Sequence, residues 1–209
     1  MPGRRTKEGE EVRQTIGTRV VAMARPGGLI SYAATAVIAA SAVEVATGVA
    51  TSTIAPSLAD KSATAFVYSG AWLTLTHVMV LAGIIGLSAT SAARAGWLKH
   101  IGFGVAYVGL AAKVLGESVL RFNFDLGNAF FGIAVPATAV GMVLIGFAIF
   151  ITRTWRGWHR YAALVCGVYV PVVLIPAFVA AKGPSFIALA GWSCCFLAFG
   201  VAMRAEERT

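Results

Sequence analysis

The stretch "WLKHIGFGVAYVGLAAKVLGESVL", residues 97–120, decides how the whole chain is read. It is long enough to cross a bilayer as a helix, which takes about 20 mostly apolar residues. Against that reading stand Lys113 and Glu117, opposite charges well inside the run. On insertion scales a charge at mid-membrane costs about 3 kcal/mol, so a spanning helix here demands partners for both. Whether the stretch spans is decided by the sequence on either side.

Outward from it the chain is strongly apolar. Of its 209 residues 58% are hydrophobic and 12% charged, and mean hydropathy is +0.78. Soluble domains carry roughly 25% charged residues, so this composition belongs to a membrane protein. Five further runs match the first, giving spans at about 29–50, 64–88, 97–120, 128–151, 159–181 and 184–203. Short breakers separate them, among them Pro56 with Asp60-Lys61, "SAARAG", "NFDLGN", "TRTWRG" and "KGP". Spanning backbone must satisfy its own hydrogen bonds, and the alternation of a membrane barrel is absent, so the expected fold is an all-α bundle of six transmembrane helices. Residues 1–28 read as a basic tail, 29–204 as the membrane domain and 205–209 as a second tail. The tail segment "EEVRQTIGTRVVAMAR" puts Val12, Ile16, Val20 and Met23 on one stripe, which suits an amphipathic helix on the inner leaflet; Gly17 and Arg19 suit a loose tail equally. The long first run and the lack of a small-residue cleavage site argue against a removable signal peptide.

The net charge of +8 follows the same plan. Thirteen of the 17 Lys and Arg fall in the two tails and the second and fourth loops. By the positive-inside rule both termini are expected in the cytoplasm. The basic charge is spread along one membrane face with no aromatic-basic module, which excludes nucleic acid as a partner. Trp97, Trp155, Trp158 and Tyr161 at one set of ends, and Phe66, Tyr68, Phe122, Phe124, Phe130 and Phe131 at the other, read as interfacial belts. Cys166, Cys194 and Cys195 lie in apolar runs and read as small packing residues rather than a redox pair.

The segments "HVMVLAGIIGLSATSAARAGWLKHIGF" (77–103) and "IALAGWSCCFLAFGVAMRAEE" (187–207) resemble a loose group of small, uncharacterised multi-pass integral membrane proteins of bacteria. The resemblance rests on a His-bearing span ending in Gly-Leu before a short basic loop, and on a last span with Gly-Trp and a charged tail. It implies a location in the bacterial cytoplasmic (inner) membrane and no activity.

The charges of the opening stretch are the candidates for chemistry. Lys113, Glu117, Arg121 and Asp125 alternate in sign at intervals of four, a ladder up the outer end of span three. Lys113 lies about 20 Å from the inner end of its span and Glu117 about 6 Å higher. In span one Glu44 lies about 22 Å above the inner end, level with Lys113. The expected arrangement is a Glu44–Lys113 ion pair, with spans one and three touching through small residues such as Ala40, Gly109 and Gly116. His77, flanked by Thr74 and Thr76, is placed near the midplane. A relay from Glu117 and Lys113 to His77 would cross about 8–10 Å of depth. Two readings stay open: a static staple, or a polar cavity in the outer half of the bundle. Pro171 and Pro176, five apart, predict that span five is bent or broken; Pro136 in span four is a weaker signal.

No metal-ligand spacing, serine elbow or phosphate loop is present, so no metal, cofactor or catalytic residue is expected. Haem would want two histidines at matching depth, whereas His100 and His159 lie at the interface and His77 is deeper. Two functional expectations follow. The first is a non-enzymatic membrane subunit, or a small-ligand- or lipid-binding component, using Glu44, His77, Lys113 and Glu117, with the bilayer and other membrane subunits as partners. Six spans in about 200 residues is also the plan of substrate-capture subunits of vitamin uptake systems. The alternative is a membrane enzyme or a redox or haem anchor using His77.

Overall fold

The computed structural model describes residues 26–54, 64–89, 96–120 and 122–207. Arg121 and the amphipathic reading of the basic tail lie outside the described residues. Six helices account for nearly all of it: α1 (Pro26–Thr53), α2 (Thr64–Ser88), α3 (Gly96–Leu120), α4 (Phe124–Thr152), α5 (Gly157–Ala181) and α6 (Phe186–Glu207). All six are long and apolar enough to cross a membrane, and among the described residues there is no strand. The chain is a multi-pass membrane protein, and the run that opened the question is its third span.

The helices form a closed ring in chain order. Each packs on its neighbours in sequence, and α6 closes on α1. Short connections make successive helices antiparallel, so the chain enters and leaves at the same end, called here the tail end; the opposite one is the far end. Apolar residues cover both surfaces of the ring, as lipid tails require of the outside. Val108, Ile133, Val172 and Val179 face outward, while Val37, Ile84, Leu110, Met142, Ile149 and Phe199 fill the interior.

Small residues set the closest approaches, as expected where lipid supplies no hydrophobic drive for association. A Cβ on Gly109 would stand 2.4 Å from the Thr138 nitrogen, and one on Gly141 2.5 Å from that of Ala106. The α3 and α4 backbones therefore touch where only hydrogen fits between them.

The ends differ from expectation in three informative ways. Span four begins at Phe124, not 128, because Asn123 caps it: its Oδ1 accepts from Leu126 N at 3.0 Å. This breaks the expected charge ladder, since α3 stops at Leu120 and Asp125 lies in the first turn of α4, a favourable place for a carboxylate. Second, span five is neither snapped nor regular. It runs as a 3-10 turn, an α-helix to Tyr169, a π turn over Val170–Leu174 and a final α-helix from Ile175. Pro171 has no N–H to give, and the Val170 N–H bonds to Gly167 O, one residue short of the α pattern. Third, Trp155 is not an interfacial anchor: only 3% exposed, it packs on Phe199 with ring centroids 5.8 Å apart.

Candidate functional site

A cavity of about 710 Å³ enters the ring from the far end. It exists because α3 is short there. Leu120, the last residue of α3, is three positions past Glu117, whereas α2 starts thirteen before His77. At 1.5 Å per residue that leaves about 15 Å of space above α3, less any helix tilt. Leu120, Phe124, Phe131 and Asn128 line that side, and Gly183 and Pro184 of the last loop stand at the mouth. Apolar and aromatic side chains make most of the wall, including Leu73, Phe178, Phe186 and Leu189.

The floor is polar. Glu44, His77, Lys113 and Glu117 all reach it, from three different helices. Each is at least nine-tenths buried, at 8%, 3%, 9% and 8% exposure respectively. None points at lipid. Buried ionisable groups must be hydrogen-bonded or paired, and for most of these the partners are visible.

Glu44 organises the floor. Its Oε1 accepts from the Thr76 hydroxyl at 3.0 Å and lies 3.1 Å from His77 Nε2. Its Oε2 accepts from the Ser193 hydroxyl at 2.7 Å. One carboxylate on α1 thus takes donors from α2 and α6, and the short contact fixes Nε2 as the protonated nitrogen of the His77 ring. The other nitrogen, Nδ1, faces Glu117 Oε1 at 3.7 Å, beyond hydrogen-bond length. Nδ1 is buried and has no hydrogen-bond partner among the described residues.

The expected Glu44–Lys113 pair is not formed. Among the described residues Glu44 instead contacts His77, and spans one and three are held apart by α2, which packs on both. Lys113 and Glu44 line the same cavity, with no ion-pair contact between them among the described residues. Lys113 Nζ instead lies 4.7 Å from the centroid of the Trp192 ring, a cation–π distance. Nor does His77 lie a separate level away from Glu117. Counting depth from span ends placed the two groups about 8–10 Å apart because it treated all spans as ending at one level.

Sequence reasoning missed Thr76 as a ligand of Glu44, and Ser193 and Trp192 altogether. Hydroxyls and a Trp are ordinary in apolar spans, so nothing marks these three. The role of Trp192 depends on the π turn. The Val170 N–H goes to Gly167 O, which leaves Cys166 O to accept from Trp192 Nε1 at 2.9 Å. The irregularity that Pro171 imposes on α5 thereby fixes the indole against which Lys113 rests. Among the cysteines, Cys166 is buried, Cys194 exposed and Cys195 between; all three are free. His100 is exposed, and His159 Nδ1 lies 2.8 Å from Glu206 Oε1 at the tail end, so neither approaches His77.

No protein-family model matches the chain, and no curated protein or solved structure matches it.

Proposed function

We propose that the chain is a non-enzymatic binding component of the bacterial cytoplasmic membrane, taking a small, mostly apolar ligand from the outer side. The observation that carries this reading is a ligand-sized, apolar-walled cavity ending on four buried ionisable side chains. Ligand sites are typically clefts of about 300–1,000 Å³ with a few convergent polar groups, and this cavity fits that description. A static staple would close over its charges, whereas these border open volume. The excess of Lys and Arg in the tails and tail-end loops supports a cytoplasmic tail end, so the mouth faces outward. A role as the capture subunit of a larger membrane assembly suits this design, since nothing in a static ring of six helices moves a ligand onward. The alternative use of His77 as a haem ligand finds less support: no second histidine faces it among the described residues.

Accessibility tests the reading. In a chain whose three cysteines are replaced by alanine, Asn128→Cys at the mouth should react with an impermeant maleimide added to intact cells. Arg156→Cys at the tail end should react only after permeabilisation. Native mass spectrometry of the gently extracted protein should show a retained small molecule that Leu73→Trp, which crowds the cavity above its floor, displaces. Labelling of Arg156→Cys from outside, or identical masses for the parent and Leu73→Trp, would reject the reading.

A further inference from the structure

The floor is incomplete in two complementary ways. Lys113 carries three N–H donors, yet among the described residues its ammonium makes no hydrogen bond or ion pair and rests only on the Trp192 ring. His77 Nδ1, with its sister nitrogen turned to Glu44, is a buried acceptor with no donor among the described residues. One site thus lacks an acceptor beside a cation and a donor beside an imidazole. Beside them Glu44 is already engaged by Thr76, His77 and Ser193.

Resting on the pocket reading above, we infer that the ligand is a small monocarboxylic acid with an apolar body, bound as a carboxylate on Lys113 with a proton on His77 Nδ1. A carboxylate taken up with a proton supplies both missing parts. Near neutral pH the acid is already a carboxylate, so binding takes one proton from the buffer: the buffer acid's bond to hydrogen breaks heterolytically, its electron pair stays on the buffer base and the proton bonds to Nδ1. The imidazolium then faces Glu44 Oε1 at 3.1 Å and Glu117 Oε1 at 3.7 Å. No net charge enters the low-dielectric interior, which spares the large cost of burying an uncompensated ion. A phosphate would bring two charges to a single ammonium in a cavity that already holds two carboxylates, and an amine would leave Lys113 facing a second cation. The groups that face His77 are Glu44 from α1 and Lys113 and Glu117 from α3. From α6 come only Ser193 and Trp192, and the parts of α4 and α5 that line the cavity carry no charge.

The test uses the full chain in nanodiscs and three probes with one body: 2-naphthylacetic acid, 2-naphthylacetamide and 2-naphthylethanol. Equilibrium dialysis near neutral pH should show the acid binding about tenfold or more tighter than the other two, the difference between a charge-assisted and a neutral hydrogen bond. Calorimetry in phosphate and in Tris should show one proton taken up per naphthylacetate. Affinity should accordingly fall about tenfold per pH unit above neutrality. Lys113→Gln should bring the acid down to the level of the alcohol while Lys113→Arg keeps the preference, and His77→Gln should abolish proton uptake. Should the variants misfold, probe preference and proton uptake in the parent chain still decide between the outcomes. Equal binding of all three probes, or no proton uptake, would overturn the acid reading and leave the pocket standing. Binding of none would overturn the acid reading, and would take the pocket with it only if Leu73→Trp also leaves the retained masses unchanged.

Discussion

Replacing Glu44 separates a residue that organises three helices from one that only carries charge. Glu44→Ala removes the acceptor of Thr76, His77 and Ser193 together. Interhelical hydrogen bonds inside membranes are worth about 0.6 kcal/mol on average and up to about 1.7, so three lost bonds amount to about 2–5 kcal/mol. Glu44→Gln keeps most of the set. Its amide oxygen can accept from Thr76 and His77 as Oε1 does. Its amide nitrogen can donate to Ser193, whose hydroxyl then turns fully to Leu189 O, already 3.2 Å away. The amide also sheds the desolvation cost of a buried carboxylate, which offsets lost charge assistance. The expected cost of Gln is therefore about 1 kcal/mol or less, and the gap between the two variants about 1 kcal/mol or more. Reversible unfolding of each variant in mixed lipid–SDS micelles, read as ΔΔG, measures it. An alanine variant within about 0.5 kcal/mol of the parent, or a glutamine variant as unstable as alanine, would refute the claim that this carboxyl ties α1 to α2 and α6.

Three further outcomes follow from the packing. Gly109→Ala should cost about 1–3 kcal/mol by forcing α3 from α4, whereas Gly104→Ala and Gly132→Ala, where a Cβ meets nothing within 4 Å, should stay within about 0.5 kcal/mol; the same micelle titration compares them. Trp192→Phe should cost about 1 kcal/mol through the lost bond to Cys166 O, and should weaken naphthylacetate in dialysis by loosening the Lys113 ammonium. Native Cys194, on the lipid face, should react with a membrane-soluble maleimide well before buried Cys166, as peptide mass mapping over time would show.

How much could be read beforehand depended on how far the relevant physics is local. Six spans were legible because about twenty apolar residues bounded by Pro, Gly and charge have few other fates. The four ionisable floor residues were legible for the converse reason, since a charge in such a run must face something other than lipid. The partnership among them was not. Depth counted along one helix says nothing about where the next one ends, and it is His77, not Lys113, that contacts Glu44. The N-cap at Asn123 was readable in principle from its residue type, yet the charge spacing of four through Asp125 concealed it. Pro171 announced an irregular α5, but that the irregularity would free Cys166 O for Trp192 is a tertiary fact with no local sign.

The closing of α6 onto α1 has a bearing on how the protein is made. Glu44 emerges with the first span, and Ser193 follows 149 residues later with the last. For most of synthesis this carboxylate is in the bilayer with a single source of relief, the Thr76 and His77 side chains that arrive on the very next helix. The opening hairpin is thus a provisional shelter, and a nascent chain halted before its final segment would keep an acid short of one donor beside an unsealed seam. Such a half-finished product is the form that a membrane protease surveying for polar defects could tell apart from the completed ring.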